Sequence, residues 1–399
     1  MSLKYKIRNF VKKSIPKALV RKYKLLHSEV FPIVKEPSNV FQHVYSIKDN
    51  TWEMLYMPEI YQLSKPYNLQ LFHKKQDILL LQNAQVSSYS DIIVTQEGVV
   101  WDKYDSDVFA KVTPMDGNHV EHTMDTVTVR KSSICHFVKG ECISMLGTFE
   151  SVWSHFLVQF LPKLYYAVEA GILDRDVTLL LPKYEDKQIE QLVFDIINRY
   201  PKLKILRIER AEERVSYKCE KLFYIPTASM ISNHSYYVSF YDGVIPQRVL
   251  NEIRNNVVIP YINLIKDEPM QYEKIFFVRK SWRNITNIKE IEEYFKSKGF
   301  YFVDLASLTL EEKVKILYHA KIIVGPASSA WSNVIFCNSC KALLLNNLGR
   351  LTDSFSRFLM PLGNVKTLMV TGWDSEQNIH TDYYIPISRI DDAYQKLLD

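Results

Sequence analysis

Residues 320–329 read Ala-Lys-Ile-Ile-Val-Gly-Pro-Ala-Ser-Ser, an apolar stretch that ends in glycine, proline and small side chains. This pattern is typical of a buried parallel strand that turns into a helix. The alternation continues on both sides of the stretch and predicts five strands with four helices between them. The predicted strands are 275–278, 301–305, 321–324, 341–345 and 365–370, and the predicted helices are 287–297, 310–319, 328–337 and 352–359. This order indicates a Rossmann-like unit, in which helices cover a parallel sheet.

A second, shorter alternation lies in the first half of the chain. A helix is predicted at 153–165, followed by strand 177–181, helix 187–200 and strands 204–208 and 221–225. The part of the chain before this helix is rich in short strands. We therefore expect an α/β fold with two Rossmann-like domains that face each other across a cleft.

These patterns divide the chain into four parts. Residues 1–30 are a basic amphipathic segment, and residues 31–258 form the first α/β domain. Residues 259–273, with two prolines and mixed charge, are predicted to be a linker, and residues 274–399 form the second α/β domain. Open α/β sheets bind ligands beyond the carboxyl ends of their strands, so the loops after strands are the places to look for chemistry.

The net charge of +5 is unevenly distributed. Residues 1–26 contain nine Lys and Arg residues and no acid, so the rest of the chain carries −4. Apolar side chains recur there at helical spacing, at Leu3, Ile7, Phe10, Val11, Leu19, Tyr23 and Leu26. A basic amphipathic helix is typical of an element that lies on an anionic membrane surface, and a solvated surface helix is the alternative. The mild overall basicity does not indicate a nucleic-acid partner.

Cysteine usage and hydropathy indicate the cellular environment in which the protein is expected. Five scattered cysteines do not indicate a disulfide framework. No apolar run reaches 18 residues, and the N-terminus lacks the pattern of a signal peptide. We therefore expect a cytoplasmic protein that associates peripherally with the cytoplasmic face of the membrane through residues 1–26.

Two loops of the second half carry candidate phosphate-binding residues. The run Arg279-Lys-Ser-Trp-Arg283 places three cations after a predicted strand, and guanidinium groups pair well with phosphate oxygens. In the other loop, Gly325 and small side chains would let a ligand approach the backbone amides of Ser328 and Ser329. A solvated basic loop and an ordinary strand–helix turn are the alternatives. The second loop has no GxGxxG or Walker pattern, so neither dinucleotide binding nor ATP hydrolysis is indicated.

The start of the 153–165 helix carries a candidate general base. His155 suits that role near neutral pH, with Glu150 as the second choice, and a packed structural histidine is the alternative. Asp105 and Asp107 form an Asp-x-Asp pattern like that of metal-dependent sugar transferases, although so short a pattern often arises by chance. The single Cys337-Asn-Ser-Cys340 motif lacks the second pair that a zinc site needs, so no metal site is predicted.

The order and spacing of several segments resemble glycosyltransferase family 61 over about residues 90–370. These segments are 274–287, 299–304, 308–317, 320–326 and 333–336, with Ser154-His-Phe156 and Leu161-Pro-Lys-Leu164 upstream. The family includes bacterial capsule and lipopolysaccharide enzymes and some eukaryotic O-glycan and xylan enzymes. The resemblance implies a two-domain fold of the glycosyltransferase B type. It also implies inverting, metal-independent transfer from a nucleotide sugar, with a UDP-sugar as the expected donor and no cofactor.

The resemblance further implies roles for individual residues. Arg279 and Arg283 would contact the donor phosphates in the C-terminal, nucleotide-sugar-binding domain. Asn287 matches the family asparagine that follows them, although a helix cap explains it equally well. Gly325-Pro326 matches the start of the family's Gly-Pro-His-Gly-Ala loop, and the candidate donor-binding stretch of this chain runs on to Asn333.

Two positions depart from the family pattern. The family histidine after Gly-Pro is Ala327 here, and the following glycine is Ser328. The family acid four residues past the helix histidine is Gln159. These substitutions indicate a divergent subgroup of the family.

The predicted function is transfer of a sugar to a growing surface polysaccharide or to a lipid-linked glycan acceptor. Two alternatives stay open from the sequence. The substitutions at Ala327 and Gln159 favour a non-catalytic glycan-binding or scaffold subunit of a polysaccharide assembly complex. Asp105 and Asp107 would instead favour a metal-dependent transferase.

Overall fold

The computed structural model describes residues 17–34, 41–48, 51–73, 76–101, 116–209, 215–227, 247–265, 269, 272–279, 284–348, 362, 364–372 and 382–399. Five predictions about segments or sites therefore lie wholly or partly outside the described residues. They concern residues 1–16 of the basic segment, the Asp105/Asp107 pair, part of the linker at 259–273, the part of the basic loop that includes Arg283, and the helix at 352–359.

The helices alternate with strands through most of the described chain. Helix α1 is Lys17–Leu26, α3 is Lys187–Ile197, α5 is Ile288–Ser297, α6 is Leu310–Tyr318 and α7 is Ile387–Leu398. Helix α2 (153–169) consists of α-helical Trp153–His155, π-helical Phe156–Phe160 and α-helical Leu161–Glu169. Helix α4 (247–265) likewise consists of α-helical Gln247–Ile253, π-helical Arg254–Val258 and α-helical Ile259–Ile265. Leu305–Ser307 and Ser329–Phe336 are 3₁₀ helices.

The strands group into four sheets. Before residue 131 they are β1 Ser28–Pro32, β2 Phe41–Lys48, β3 Thr51–Met57, β4 Glu59–Ile60, β5 Tyr67–His73, β6 Gln76–Ser87, β7 Ile93–Val94, β8 Val99–Val100, β9 His119–His122 and β10 Thr126–Arg130. After it they are β11 Ile134–Ser144, β12 Val177–Pro182, β13 Lys204–Ile208, β14 Val215–Tyr224, β15 Lys274–Phe277, β16 Tyr301–Val303, β17 Ile322–Pro326, β18 Cys340–Asn347 and β19 Val365–Gly372.

The first α/β unit is built on a sheet in the order β13-β12-β11-β14-β6-β7-β8. Strands β13, β12, β11 and β14 run parallel, whereas β6 pairs antiparallel with β14. The predicted parallel pairing is therefore confirmed for these four strands, whereas the sheet as a whole is mixed. In the strand-rich part of the chain before α2, β7 and β8 form an antiparallel hairpin around Gly98.

The second α/β unit has the strand order β16-β15-β17-β18-β19-β4, with every neighbouring pair parallel. All five strands predicted here are present. The helix predicted at 328–337 is a 3₁₀ helix instead. Within it the Ser332 hydroxyl donates to the Ser329 carbonyl, and the Asn333 amide donates to the Ala330 carbonyl. Side-chain donors that reach carbonyls three residues back compete with α-helical hydrogen bonding.

Two findings modify the predicted division of the chain. Strand β4 lies early in the sequence, yet it pairs with β19 at the edge of the second sheet. The first residues of the predicted linker, 259–265, are the end of helix α4. Val258 and Ile262, one turn apart, are buried in the core, and this apolar face accounts for the helix. Pro260 is tolerated because it is the second residue of an α-helical segment that follows a π-helical turn.

One hydrophobic core runs through both units. It includes Phe156 and Leu164 of α2, Phe277 of β15, and Trp331 of the second 3₁₀ helix. The two halves therefore pack directly on each other along α2 and the 329–336 segment.

Candidate functional site

The two loops predicted to bind phosphate meet at one edge of the second sheet. Apart from β4 at the edge, the strands of this sheet lie in the chain order 2-1-3-4-5, so the order reverses between β15 and β17. Open α/β sheets form their ligand crevice at such a reversal, beyond the carboxyl ends of the strands. Arg279 follows β15, and Ser328 and Ser329 follow β17, so all three lie at this crevice.

Arg279 joins the two loops directly. Its guanidinium donates a hydrogen bond to the carbonyl of Ala327, and its side chain is half-buried. Ala327 is itself held in place, because its N–H donates to the Leu345 carbonyl over 2.8 Å. A guanidinium has five N–H donors in a fixed plane, so this bond fixes the plane of the group beside the loop that follows β17.

Ser328 and Ser329 are accessible residues of the loop that follows β17. Ser328 is half-buried with an extended backbone, its hydroxyl does not cap the helix, and Ser329 is exposed. These are the first backbone amides of a 3₁₀ helix, a position at which N–H groups lack partners within the helix.

Gly325 is required for packing inside the sheet. A Cβ at this position would lie 2.8 Å from Cβ of Phe277 and 3.0 Å from its carbonyl oxygen. Gly325 and Pro326 are both buried as the last residues of β17. The glycine thus lets β17 approach β15 closely and brings the two loops together.

Asn287 is buried beside the start of α5, where its side chain binds backbone. Its Nδ2 donates to the Ile385 carbonyl over 2.9 Å, and its Oδ1 accepts from the Ile385 N–H over 3.3 Å. The helix cap that would also explain Asn287 is absent, since the side chain makes no capping hydrogen bond. Both ends of the amide are taken up by a chain segment almost 100 residues away, which fixes the start of α5. Helix α6, by contrast, begins with a full capping box between Thr309 and Glu312.

Asn333 connects the second unit to helix α2 of the first. Its Oδ1 accepts a hydrogen bond of 2.9 Å from the Trp153 indole, and its Nδ2 donates to Ala330. Both Asn333 and Trp153 are buried. This bond places the start of α2, two residues before His155, against the 3₁₀ helix that follows Ser328.

A tight turn precedes His155. Phe149 has φ of +66°, which is uncommon outside glycine, and its ring packs on the His155 ring with centroids 4.8 Å apart. Buried Glu150 accepts a hydrogen bond of 3.0 Å from the N–H of Gly147. Asp91 accepts from the N–H of Thr148 and ties the same turn to the sheet. Strained backbone that is so firmly held is common where a catalytic group must be positioned.

His155 is half-buried and has Gln159 as its partner. Nδ1 of His155 lies 2.8 Å from Oε1 of Gln159 across the π-helical turn. An amide oxygen can only accept, so this contact holds the proton on Nδ1 and the ring lone pair on Nε2. Glutamine thus retains the orienting role of an acid at this position, but without its negative charge. π-helical turns of this kind occur frequently at functional sites.

Trp153 also contacts a buried lysine that the sequence analysis did not single out. Nζ of Lys313, on α6, lies 4.5 Å from the centre of the Trp153 ring. Burial lowers the pKa of Lys313 to about 8, although Asp186 and Asp304 act in the opposite direction. A signal was available, since Lys313 follows Leu310 and precedes Val314 and Leu317, on the apolar face of its helix.

Residues 153–344, just under half of the chain, match the family model Glycosyltransferase 61. This match supports membership of glycosyltransferase family 61. No curated protein matches the chain. The matched region begins at Trp153 and contains His155, Arg279 and the whole 325–333 segment.

As a glycosyltransferase, the protein binds a sugar donor and an acceptor. Within the described residues, no three His, Cys, Asp or Glu side chains lie together as a metal-ligand set. Cys337 and Cys340 are buried thiols, and burial, together with a hydrogen bond that the Cys337 thiol donates to Cys340, raises the pKa of Cys337. None of the described helices has the length and hydropathy needed to cross a membrane.

Proposed function

We propose that this family 61 glycosyltransferase is an inverting, metal-independent enzyme with a fold of the glycosyltransferase B type. It moves a sugar from a nucleotide-sugar donor, expected to be a UDP-sugar, to a growing surface polysaccharide or a lipid-linked glycan. One observation carries the proposal: helix α2, which bears His155, is bonded through Trp153 and Asn333 to the segment that follows the Arg279–Ala327 crevice.

The unit of residues 274–399 would hold the donor. Arg279 and Arg283 bind the diphosphate, and the amides of Ser328 and Ser329 add further donors. Gly325, Asn287 and Asn333 shape the crevice through Phe277, Ile385 and Trp153. Cations and oriented N–H groups stabilise a departing diphosphate without a metal ion.

The unit of residues 31–258 would hold the acceptor and supply the base. Nε2 of His155 takes the proton of the acceptor hydroxyl, whose oxygen attacks the anomeric carbon from the face opposite the diphosphate. The bond from that carbon to the diphosphate breaks, and the leaving group keeps the electron pair. The products are a glycoside of inverted configuration, a nucleoside diphosphate and a proton on His155. Glu150 is buried as the anchor of its turn, so it is the second choice for the base.

Helix α1 supports the proposed membrane association. Leu19, Tyr23 and Leu26 recur at helical spacing and are exposed. Exposed apolar residues on a basic helix are typical of elements that lie in a membrane interface. We propose that residues 1–26 bring the enzyme from the cytoplasm to the anionic inner leaflet, where lipid-linked acceptors are found.

The proposal is tested by transfer and hydrolysis assays with radiolabelled UDP-, GDP- and CMP-sugars, each with and without EDTA. We expect turnover of one donor class that EDTA does not abolish. Loss of turnover in EDTA would favour the metal-dependent alternative with Asp105 and Asp107. No turnover of any donor would favour the non-catalytic subunit.

Variants then assign the residues. Arg283→Ala is expected to lower turnover by roughly 10²–10³-fold, the usual effect of removing one preorganised donor. Full activity in His155→Gln together with loss of activity in Glu150→Gln would exchange the roles of those two residues.

A further inference from the structure

Strands β3 and β5 form a two-stranded sheet of their own. They pair antiparallel, with Met54 opposite Gln70 and Tyr56 opposite Asn68. Residues directly opposite in an antiparallel pair share a face, and alternate residues of one strand do so as well. One face of this hairpin therefore carries Trp52, Met54, Tyr56, Asn68 and Gln70, a set that we call the aromatic platform.

The aromatic platform is open to solvent. Trp52 is 65% exposed, Met54 57% and Tyr56 56%, and Asn68 and Gln70 are exposed beside them. Large apolar side chains grouped on one exposed face mark a binding surface more often than isolated ones do.

The chemistry of the platform suits an uncharged glycan. None of the residues at its positions is charged, and Glu53, which lies between Trp52 and Met54 in the sequence, points to the opposite face. Aromatic rings carry a negative face, which attracts the weakly positive C–H groups of a pyranose ring, and the amides of Asn68 and Gln70 can both donate to and accept from hydroxyl groups. An anionic membrane would call for basic residues, which this face does not have.

The platform is also attached to the helix that carries His155. Glu53 accepts a hydrogen bond of 2.8 Å from the N–H of Gln247, at the start of α4. Arg248 then donates to the Ile47 carbonyl, just before the hairpin, and to the hydroxyl of Tyr166 on α2. The platform is thus held by an element that itself packs on α2.

We propose that the aromatic platform binds an uncharged stretch of the acceptor glycan, away from the hydroxyl that reacts. The inference rests on the proposed function, because it takes the acceptor to be a glycan chain. Trp52 and Tyr56 are four residues apart along a strand, or about 14 Å, so the platform would contact more than one sugar ring. It lies outside residues 153–344, the region matched by the family model.

Affinity electrophoresis of the full chain tests this binding without donor or turnover, so its outcome is independent of the proposed reaction. The probes are native gels that contain dextran, galactomannan or hydroxyethyl cellulose, all of them uncharged. We expect at least one polysaccharide to retard the wild type, and Trp52→Ala with Tyr56→Ala to abolish the retardation. Tyr384→Ala, which removes an exposed aromatic ring from the second unit, is the matched control and should behave like the wild type.

Retardation by none of the three polysaccharides, or equal retardation of the double variant, would overturn the proposal. Two further results would also overturn it. If the double variant lost binding to anionic vesicles, the platform would serve a membrane. If the substitutions converted a dimer into a monomer, the platform would serve a second copy of the chain. Thermal unfolding of the double variant at the wild-type temperature is required to establish that both substitutions leave the fold intact.

Acceptor length provides a second readout. With a soluble acceptor of many sugar units, the double variant should raise KM by about tenfold and leave kcat unchanged. With a mono- or disaccharide acceptor it should leave both constants unchanged. An equal effect on short and long acceptors would contradict the proposal.

Discussion

At the scale of single residues, Gln159 decides how His155 can work. Its amide oxygen lies 2.8 Å from Nδ1 and so fixes the ring orientation, but a neutral amide does little to stabilise the imidazolium that forms when the base takes a proton. Gln159 can therefore orient the His155 ring as an acid would, but it does not supply the negative charge that would stabilise the imidazolium.

Gln159→Glu restores the missing charge. We expect the acidic limb of the pH–rate profile to move to higher pH by about one unit, because a carboxylate beside the ring favours its protonated form. Gln159→Leu removes the acceptor and should lower the plateau rate by about 10²-fold. Profiles for both variants that coincide with the wild type would show that Gln159 does not act on the base.

The buried side chain of Lys313 leads to a prediction about how stability depends on pH. Burial lowers its pKa from the ordinary value of 10.5 to about 8, so between pH 8 and 10 the unfolded chain holds a proton that the folded chain has released. The free energy of unfolding should therefore rise with pH in this window, by about 2–3 kcal/mol from this group alone. Urea unfolding at pH 8 and pH 10 measures this rise in the wild type and in Lys313→Met. The contribution of Lys313 to the rise should be absent from the variant. Equal pH dependence in the two proteins would mean that Lys313 has an ordinary pKa.

Residue types were easier to predict than residue roles. The sequence placed Asn287, Gly325 and Asn333 in the candidate site, and each lies near the crevice or its supports. Their partners are Ile385, Phe277 and Trp153. These contacts span 48 to 180 positions of the chain, and no local pattern reveals them.

At the scale of elements, the parallel strands were predictable, whereas the π-helical turns and the 3₁₀ helix were not. Continuous apolar runs such as 322–324 identified the parallel strands directly. The 3₁₀ helix at 329–336 contains side-chain hydrogen bonds to carbonyls three residues back, and the apolar spacing of the sequence indicates neither this helix nor the π-helical turns in α2 and α4. The pairing of β4 with β19 was also unpredictable, because two-residue strands carry no periodic signal.

The bond between Trp153 and Asn333 is the element-scale contact that we expect to matter most. Asn333→Leu leaves the buried indole N–H without this acceptor and should lower the free energy of unfolding by about 1–3 kcal/mol. Combining it with Trp153→Phe removes both polar partners, so the double variant should recover part of the loss. Asn338→Ala, at an exposed position shortly after the 3₁₀ helix, is the control and should be near neutral. Strictly additive losses would show that the two side chains do not interact.

At the scale of the whole molecule, the charge separates the proposed membrane element from the rest of the chain. Deleting residues 1–26 removes nine basic residues and leaves a body of −4. The truncated protein should fail to float with anionic vesicles, since each basic residue near such a surface contributes about 1 kcal/mol, and it should keep its turnover of a soluble acceptor. Neutral phosphatidylcholine vesicles are the control. Flotation that survives the deletion would place the membrane contact elsewhere.

The central claim is that a nucleoside diphosphate binds where the loops after β15 and β17 meet. Calorimetric titration of the full chain tests this claim most directly. UDP, GDP and CMP are titrated into the wild type, into Arg279→Ala, and into Arg175→Ala, a control that lies just before β12 in the first sheet. We predict that UDP binds most tightly to the wild type and the control, and that Arg279→Ala weakens it by about tenfold or more, the usual effect of losing a charged hydrogen bond. Binding of none of the three nucleotides, or equal UDP affinity in Arg279→Ala and the wild type, would contradict the account.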